Sequence, residues 1–410
     1  MAAWVRGACR VLVRSAGTEI LDLSTALRAA VTDRVTALLR RRDPLMTDSS
    51  ARDGSQIRRL DAGVPAGSPS SMTAGGSPAA SGWRAIVARF QTPSWGRAAW
   101  QFTSTLLAYF GTWALLLWLV NVSWWLLVPL VPLASLLLVR LFIVFHDCGH
   151  GSFFPSKTAN DLVGAFTGML TFTPYRHWRG EHAIHHGSTG DLDRRGIGDV
   201  WTMTVREYLE ATRWKRFAYR IARNPFVLFV LAPFIVFVFW QRLPRSTAPV
   251  REKWSVWTTN VALLAMVLGM GWLFGFWTFV ILQAMVMAAA GAVGVWLFYL
   301  QHQFEDAYWE RGDQWDYVKA ALQGSSFLML PKVLQWFSGN IGFHHIHHLS
   351  PRIPNYHLER CHASDPLFQQ VRPMTLRSSL KSLWLRLWDE ESQRLVSFAH
   401  LRRLRHVRMS

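Results

Sequence analysis

Residues 124–150 read WWLLVPLVPLASLLLVRLFIVFHDCGH. Its apolar part, 124–145, is charged only at Arg140 and is long enough to cross a bilayer as a helix. It carries His146 and His150 to one end, and histidines at i and i+4 share a helix face. A second apolar run, 103–120, precedes it, and only Asn121, Val122 and Ser123 lie between. The two runs therefore make a tight hairpin with an uncharged tip.

Further along, 256–274 and 276–300 meet without a charge and form a second hairpin. The run 225–240 is different. It is short, contains Pro233, and has basic residues on both sides: Arg213, Lys215, Arg216, Arg220 and Arg223 before it, Arg242, Arg245, Arg251 and Lys253 after. Both flanks favour the cytoplasm, so this run is expected to be re-entrant or interfacial. The stretch 162–174 is too short to span and is placed at the interface or as a second re-entrant piece. The expected fold is an all-α integral membrane protein with four transmembrane helices in two hairpins. Re-entrant or interfacial helices and a cytoplasmic helical cap complete it, with both termini on the cytoplasmic side. Residues 350–410 form a cytoplasmic tail, in which 380–405 is amphipathic and lies along the interface.

Composition agrees. Half of the 410 residues are hydrophobic, 22 are Trp, and the formal charge is +18. The basic residues gather around the apolar runs, at 205–223, 242–253 and 394–408, which points to anionic lipid and not to nucleic acid. The three cysteines, Cys9, Cys148 and Cys361, have no paired spacing and give neither a disulfide framework nor a Cys-based metal site. The polar parts are expected to face a reducing compartment. Residues 1–83 are Arg-rich and then rich in Gly, Ser, Ala and Pro. They read as a disordered extension, or as a start placed too early with Met46 or Met72 as alternatives, with the membrane domain at 84–410.

The chemistry lies in the histidines. Of 15, none precedes residue 146 and eleven lie between 146 and 348. His182, His185 and His186 are spaced i, i+3, i+4, and so are His344, His347 and His348, with His345 as an extra member. Eight patterned histidines exceed what one ion takes, so two metals are expected. An even number of spans between clusters puts all three on one side of the membrane, where they can share a site. Ligating histidines commonly give their second N–H to a carboxylate. Asp147, Glu181, Asp191, Asp199, Glu305 and Asp306 lie close enough in sequence to serve.

HDCGH, HAIHH and HHIHH, in this order and flanked by two hydrophobic hairpins, resemble the membrane fatty-acid desaturases, in particular bacterial Δ12 (omega-6) acyl-lipid desaturases. Supporting similarity lies in Trp178-Arg179 before the second cluster, in 186–193 after it, and in 300–306 and 315–317. The resemblance covers roughly 85–370. It implies a di-iron centre, two Fe ions, held by His146, His150, His182, His185, His186, His344, His347 and His348. It implies a further ligand between the second and third clusters, and His302 is the only histidine there. Asp147, Glu181, Asn340 and His177 are carried as residues supporting the ligands, Asn340 with a helix cap as its other reading. His345 is expected to point away.

The activity implied is O2-dependent introduction of a cis double bond into the acyl chain of a lipid, most simply a monounsaturated one. No dinucleotide fingerprint, haem-attachment motif or cysteine cluster is present. Electrons must then come from a separate protein, a ferredoxin or a b-type cytochrome. The alternatives are a lipid hydroxylase or carotenoid oxygenase on the same scaffold, and, outside the enzymes, a membrane metal transporter.

Overall fold

The computed structural model describes residues 79–401; the expected extension up to residue 78 and the end of the tail from 402 lie outside them. The first described element, α1 (Ala79–Ala88), crosses the boundary expected at residue 83. Trp83 and Val87 on it are buried in one apolar cluster with Ile346, Leu349 and Leu358, so they belong to the folded body and not to an extension. Sequence alone shows a Gly/Ser-rich lead-in there and no partner for Trp83.

Among the described residues, four helices are long and apolar enough to cross a membrane. They are α2 (Trp95–Leu119), α3 (Leu127–His150, entered through the 3-10 turn Trp124–Leu126), α9 (Val250–Phe274) and α10 (Phe276–His302). Both α2 and α9 begin earlier than the apolar runs that mark them. Ser94 caps α2 by accepting a hydrogen bond from Arg97 N, and α9 opens on charged Arg251, Glu252 and Lys253. Hydropathy marks the hydrocarbon layer, whereas helices continue above it. Exposed tryptophans mark both hairpin tips, Trp124 and Trp125 at one and Trp272 and Trp277 at the other, as interfacial side chains do.

Two polar side chains inside the bundle bridge its helices. Ser135 on α3 donates to Val286 O on α10 at 3.1 Å. Arg140 donates to Thr105 Oγ1 at 3.1 Å and to Trp336 O, and its guanidinium lies 4.0 Å from the Trp336 ring centroid. A left-handed Gly151, φ 69°, then stops α3 one residue after His150.

Between the hairpins lie α4 (Lys157–Leu170), α5 (Tyr175–Ser188), the short β1 (Met203–Thr204), α6 (Val205–Glu210) and α7 (Arg213–Ala222). After these the chain turns, and α7 with the helical segment Val227–Arg242 forms a pair bent by 62°. That segment contains α8 (Ala232–Val238), packed on α10. A pair bent in this way is either a broken span or a re-entrant loop, the second being the reading expected for 225–240.

Beyond α10 the cap holds α11 (Tyr317–Gln323), β2 (Phe327–Met329), α12 (Lys332–Phe337), α13 (His344–Leu349), α14 (Asn355–His362) and β3 (Pro373–Thr375). It is not wholly helical. The stretch expected to be an amphipathic interfacial segment folds into β4 (Leu387–Asp389) and β5 (Arg394–Val396), antiparallel to each other, with β1 pairing in parallel on β4. Alternation of apolar and basic residues is here the period of a strand, and Leu387, Trp388 and Leu395 are buried.

Helix α4 meets α5 through Gly164. A Cβ at this position would sit 2.2 Å from the Tyr175 ring, whose hydroxyl donates to Cys148 O at 2.7 Å beside the first cluster. Gly164→Ala is expected to destabilise the protein by about 1–3 kcal/mol through overpacking. A lowered thermal midpoint in detergent checks this.

Candidate metal centre

The functional histidines are delivered by four helices. His146 and His150 occupy the last turn of α3, and His302 is the last residue of α10. His182, His185 and His186 lie on α5, and His344, His347 and His348 on the single-turn α13. The side chain of Tyr317 holds α13: its hydroxyl donates to His348 O at 2.6 Å.

The nine histidines named from sequence converge as two groups. His146, His150, His182, His186 and His347 form one; His185, His302, His344 and His348 form the other. Within each group, one nitrogen per ring lies within 4.8 Å of all the rest. The Nε2 atoms of His146 and His182 are 3.0 Å apart, as are those of His302 and His344, and His186 lies 3.1 Å from both His182 and His347. Nitrogens about 2.1 Å from a common ion and at right angles to each other stand about 3 Å apart, so the spacing is that of ligands around an ion. His185 and His186, adjacent in sequence, belong to different groups, which sets the two sites side by side.

Outer partners fix which nitrogen is free. Asp147 Oδ1 accepts from His146 Nδ1 at 3.0 Å, and Asp199 Oδ1 accepts from His185 Nδ1 at 2.8 Å. The Gly324 carbonyl accepts from His302 Nδ1 at 3.2 Å. In each case Nε2 is left with its lone pair. The Nε2 atoms of His150, His185 and His348 are buried and lack any hydrogen-bond partner, a costly state that a metal ion relieves. The donor set therefore fits two ions of a type that takes imidazole. No carboxylate, thiol or exposed ligand is among the nine.

Burial, reinforced by neighbouring imidazoles, holds His182, His186, His344, His347 and His348 well below the usual histidine range. These rings are neutral when folded, the form that ligates. With the metal stripped, the unfolded chain binds protons below about pH 6.5 that the folded chain refuses. Stability is thus intact above that pH and falls as pH drops from it, by up to about 1.4 kcal/mol per pH unit for each such histidine. Thermal midpoints of chelator-treated protein between pH 7.5 and 5 test this, and a flat profile would contradict it.

The residues expected to support the ligands separate. Asp147 does contact one, and its Oδ2 accepts from Asn355 N at 2.6 Å and Asn355 Nδ2 at 2.9 Å. Glu181 and His177 turn away: His177 lies 3.7 Å from Glu181 and 3.4 Å from Glu252, and Arg245 pairs with both acids. Asn340 takes a left-handed backbone, φ 59°, and its amide donates to Asn355 O at 3.0 Å, one step behind Asp147. His345 faces His362, 3.1 Å away, outside both groups, where burial and then His362 lower it to about 3. Asn355 carries no sequence signal, since its contact with Asp147 spans 208 residues. Trp178 stacks on His182 with ring centroids 4.3 Å apart, closing the first group on one side.

Comparison with known proteins agrees with this geometry. The family model "Fatty acid desaturase" matches residues 123–376, which contain all nine histidines. The chain is 44% identical over 324 residues to a Bacillus subtilis (strain 168) protein named "Fatty acid desaturase", covering 79% of this chain and 91% of that one. It is 30% identical over 262 residues to "sn-1 acyl-lipid omega-3 desaturase (ferredoxin)" of Nostoc sp. (strain 36), covering 61% of this chain and 69% of the relative. An Arabidopsis thaliana protein, "Temperature-sensitive sn-2 acyl-lipid omega-3 desaturase (ferredoxin), chloroplastic", is 29% identical over 266 residues, covering 59% and 58%. Four apolar helices among the described residues, two convergent imidazole groups and a family match across them make one case: the chain belongs to the fatty acid desaturase family, as a membrane oxidoreductase that desaturates fatty acyl chains.

Proposed function

We propose that the nine histidines hold two iron ions, and that the enzyme places a cis double bond at Δ12 (omega-6) of a monounsaturated acyl lipid. The observation that carries the metal reading is the pair of convergent imidazole groups, five and four strong, three of whose members close apolar spanning helices. The overall change is R–CH2–CH2–R + O2 + 2 e⁻ + 2 H⁺ → R–CH=CH–R + 2 H2O. Bound iron supplies the O2 chemistry that removing hydrogen from an unactivated C–H bond demands and that no side chain provides.

The chain's own residues do the rest. Asp147, Asp199 and the Gly324 carbonyl each accept a hydrogen bond from an Nδ1–H and so aim a ring. Phe298, with ring centroids 5.3 Å from His185 and 5.7 Å from His302, and Trp178 on the other group give the site apolar walls that keep water from the reacting chain.

The two electrons come from a separate protein. Relatives whose names include ferredoxin support that donor over a b-type cytochrome. By the positive-inside rule the histidine end and both termini lie on the cytoplasmic side. Relatives named as omega-3 desaturases favour one second reading, in which the new bond lies at omega-3 of a chain already carrying two. Expression in a host that makes only monounsaturated fatty acids, followed by mass-spectrometric location of double bonds, tests the proposal. A Δ12 diene is expected. No product there, but a triene when a diene is fed, would support the omega-3 reading, and a hydroxylated acid would reject both.

A further inference from the structure

Helix α7 carries Arg213, Arg216 and Arg220 and is capped by Arg223, at spacings of three, four and three that put the four in one row. The inner end of this row is buried. Arg223 is 1% exposed and donates to Gln303 Oε1 at 2.7 Å, on the residue that follows His302. The outer three line a cavity of about 320 Å³ walled by Tyr208 and Phe398. Arg220 is fixed there, its Nε donating to Tyr208 OH at 2.6 Å and its guanidinium 4.9 Å from the Phe398 ring centroid. Arg216 Nε is buried without a partner, and no carboxylate among the described residues lines the cavity. The nearby Glu207 is already taken, by Arg195 and by the cap of α6.

A second row runs beside the first. Trp214, Phe217 and Ile221, at i, i+3 and i+7, are 80%, 56% and 44% exposed, and their surface continues through Phe226 into the bent segment. An exposed apolar row next to a basic one marks a helix lying in the headgroup layer, with its apolar side in the acyl region and its guanidinium groups at phosphate level. An acidic protein approaching from water would satisfy the arginines and leave Trp214 and Phe217 uncovered; a lipid satisfies both rows. We propose that this cavity binds the phosphate of a membrane phospholipid through Arg213, Arg216 and Arg220. It thereby positions the lipid whose acyl chain is oxidised. The inference rests on the reading of the substrate as a membrane acyl lipid. Arg220 stands three residues, about 4.5 Å of helix rise, from Arg223. The row therefore runs from the headgroup layer to the neighbour of His302.

The test titrates the full chain in detergent with dioleoylphosphatidylglycerol and, separately, with a phosphate-free dioleoyl galactolipid, counting bound lipid by native mass spectrometry. Wild type is expected to retain the phospholipid preferentially. Arg213→Gln with Arg216→Gln should weaken that binding about tenfold, and the two lysine replacements should restore most of it. Equal phospholipid affinity in wild type and the glutamine variant would overturn the proposal. So would a site filled equally well by inorganic phosphate, or a glutamine variant that loses affinity only for reduced ferredoxin. Because binding is read without turnover, a chain that desaturates nothing would sink the functional reading while leaving this one to be judged on its own result.

Discussion

His302→Ala is expected to empty one of the two metal sites and to lower activity by at least about a hundredfold. Changing a partner behind a ligand already costs about 10–100-fold, and a direct ligand costs more. His302 is buried, its Nδ1 is engaged by Gly324 O, and its Nε2 sits 3.0 Å from that of His344. Its group has only three other members, His185, His344 and His348, and no described cysteine or acid stands in reserve. The five-membered group does not include His302 and should keep its ion. Metal analysis beside product analysis checks this: iron near half the wild-type content supports the assignment. Full iron content with normal activity would return His302 to a helix-end residue.

Asp147→Ala should cost both metal and stability. The carboxylate is 1% exposed and accepts three hydrogen bonds, one from His146 and two from Asn355. Removing it leaves the Asn355 N–H groups buried without an acceptor, which is expected to cost roughly 3 kcal/mol or more. It also frees the His146 ring to rotate or change tautomer, at about 10–100-fold in metal affinity. Asp147→Asn separates the two effects. If its oxygen serves Asn355, its NH2 faces His146 Nδ1, forces that nitrogen to accept, and puts the proton on Nε2 where the metal would bind. The asparagine variant should therefore keep most of the thermal stability while losing iron. Equal iron in wild type and both variants would show that Asp147 serves only the fold.

What could be read beforehand was local. Histidines at i, i+3 and i+4 share a face whatever surrounds them, and the spans follow from length and apolarity, so the two-hairpin frame and the eight patterned rings were legible, whereas His302 was named only through the family resemblance. Contacts that depend on distant segments were not. Glu181 and His177 sit one and five residues before His182, yet Glu252 and Arg245 on and before α9 draw them away. Trp83 reads as part of a Gly/Ser lead-in until Ile346 and Leu358 cover it. The 387–396 hairpin looks amphipathic in either period, and only pairing with Met203 and Thr204 makes it a strand. Asn355 gains its role by a register that no local pattern encodes.

The most direct measurement is the metal content of the purified full chain, by mass spectrometry of the intact protein under native conditions and by elemental analysis. Two iron ions per chain are predicted, one for each histidine group. A single ion, or two of zinc with no iron uptake on anaerobic reconstitution, would contradict the di-iron account.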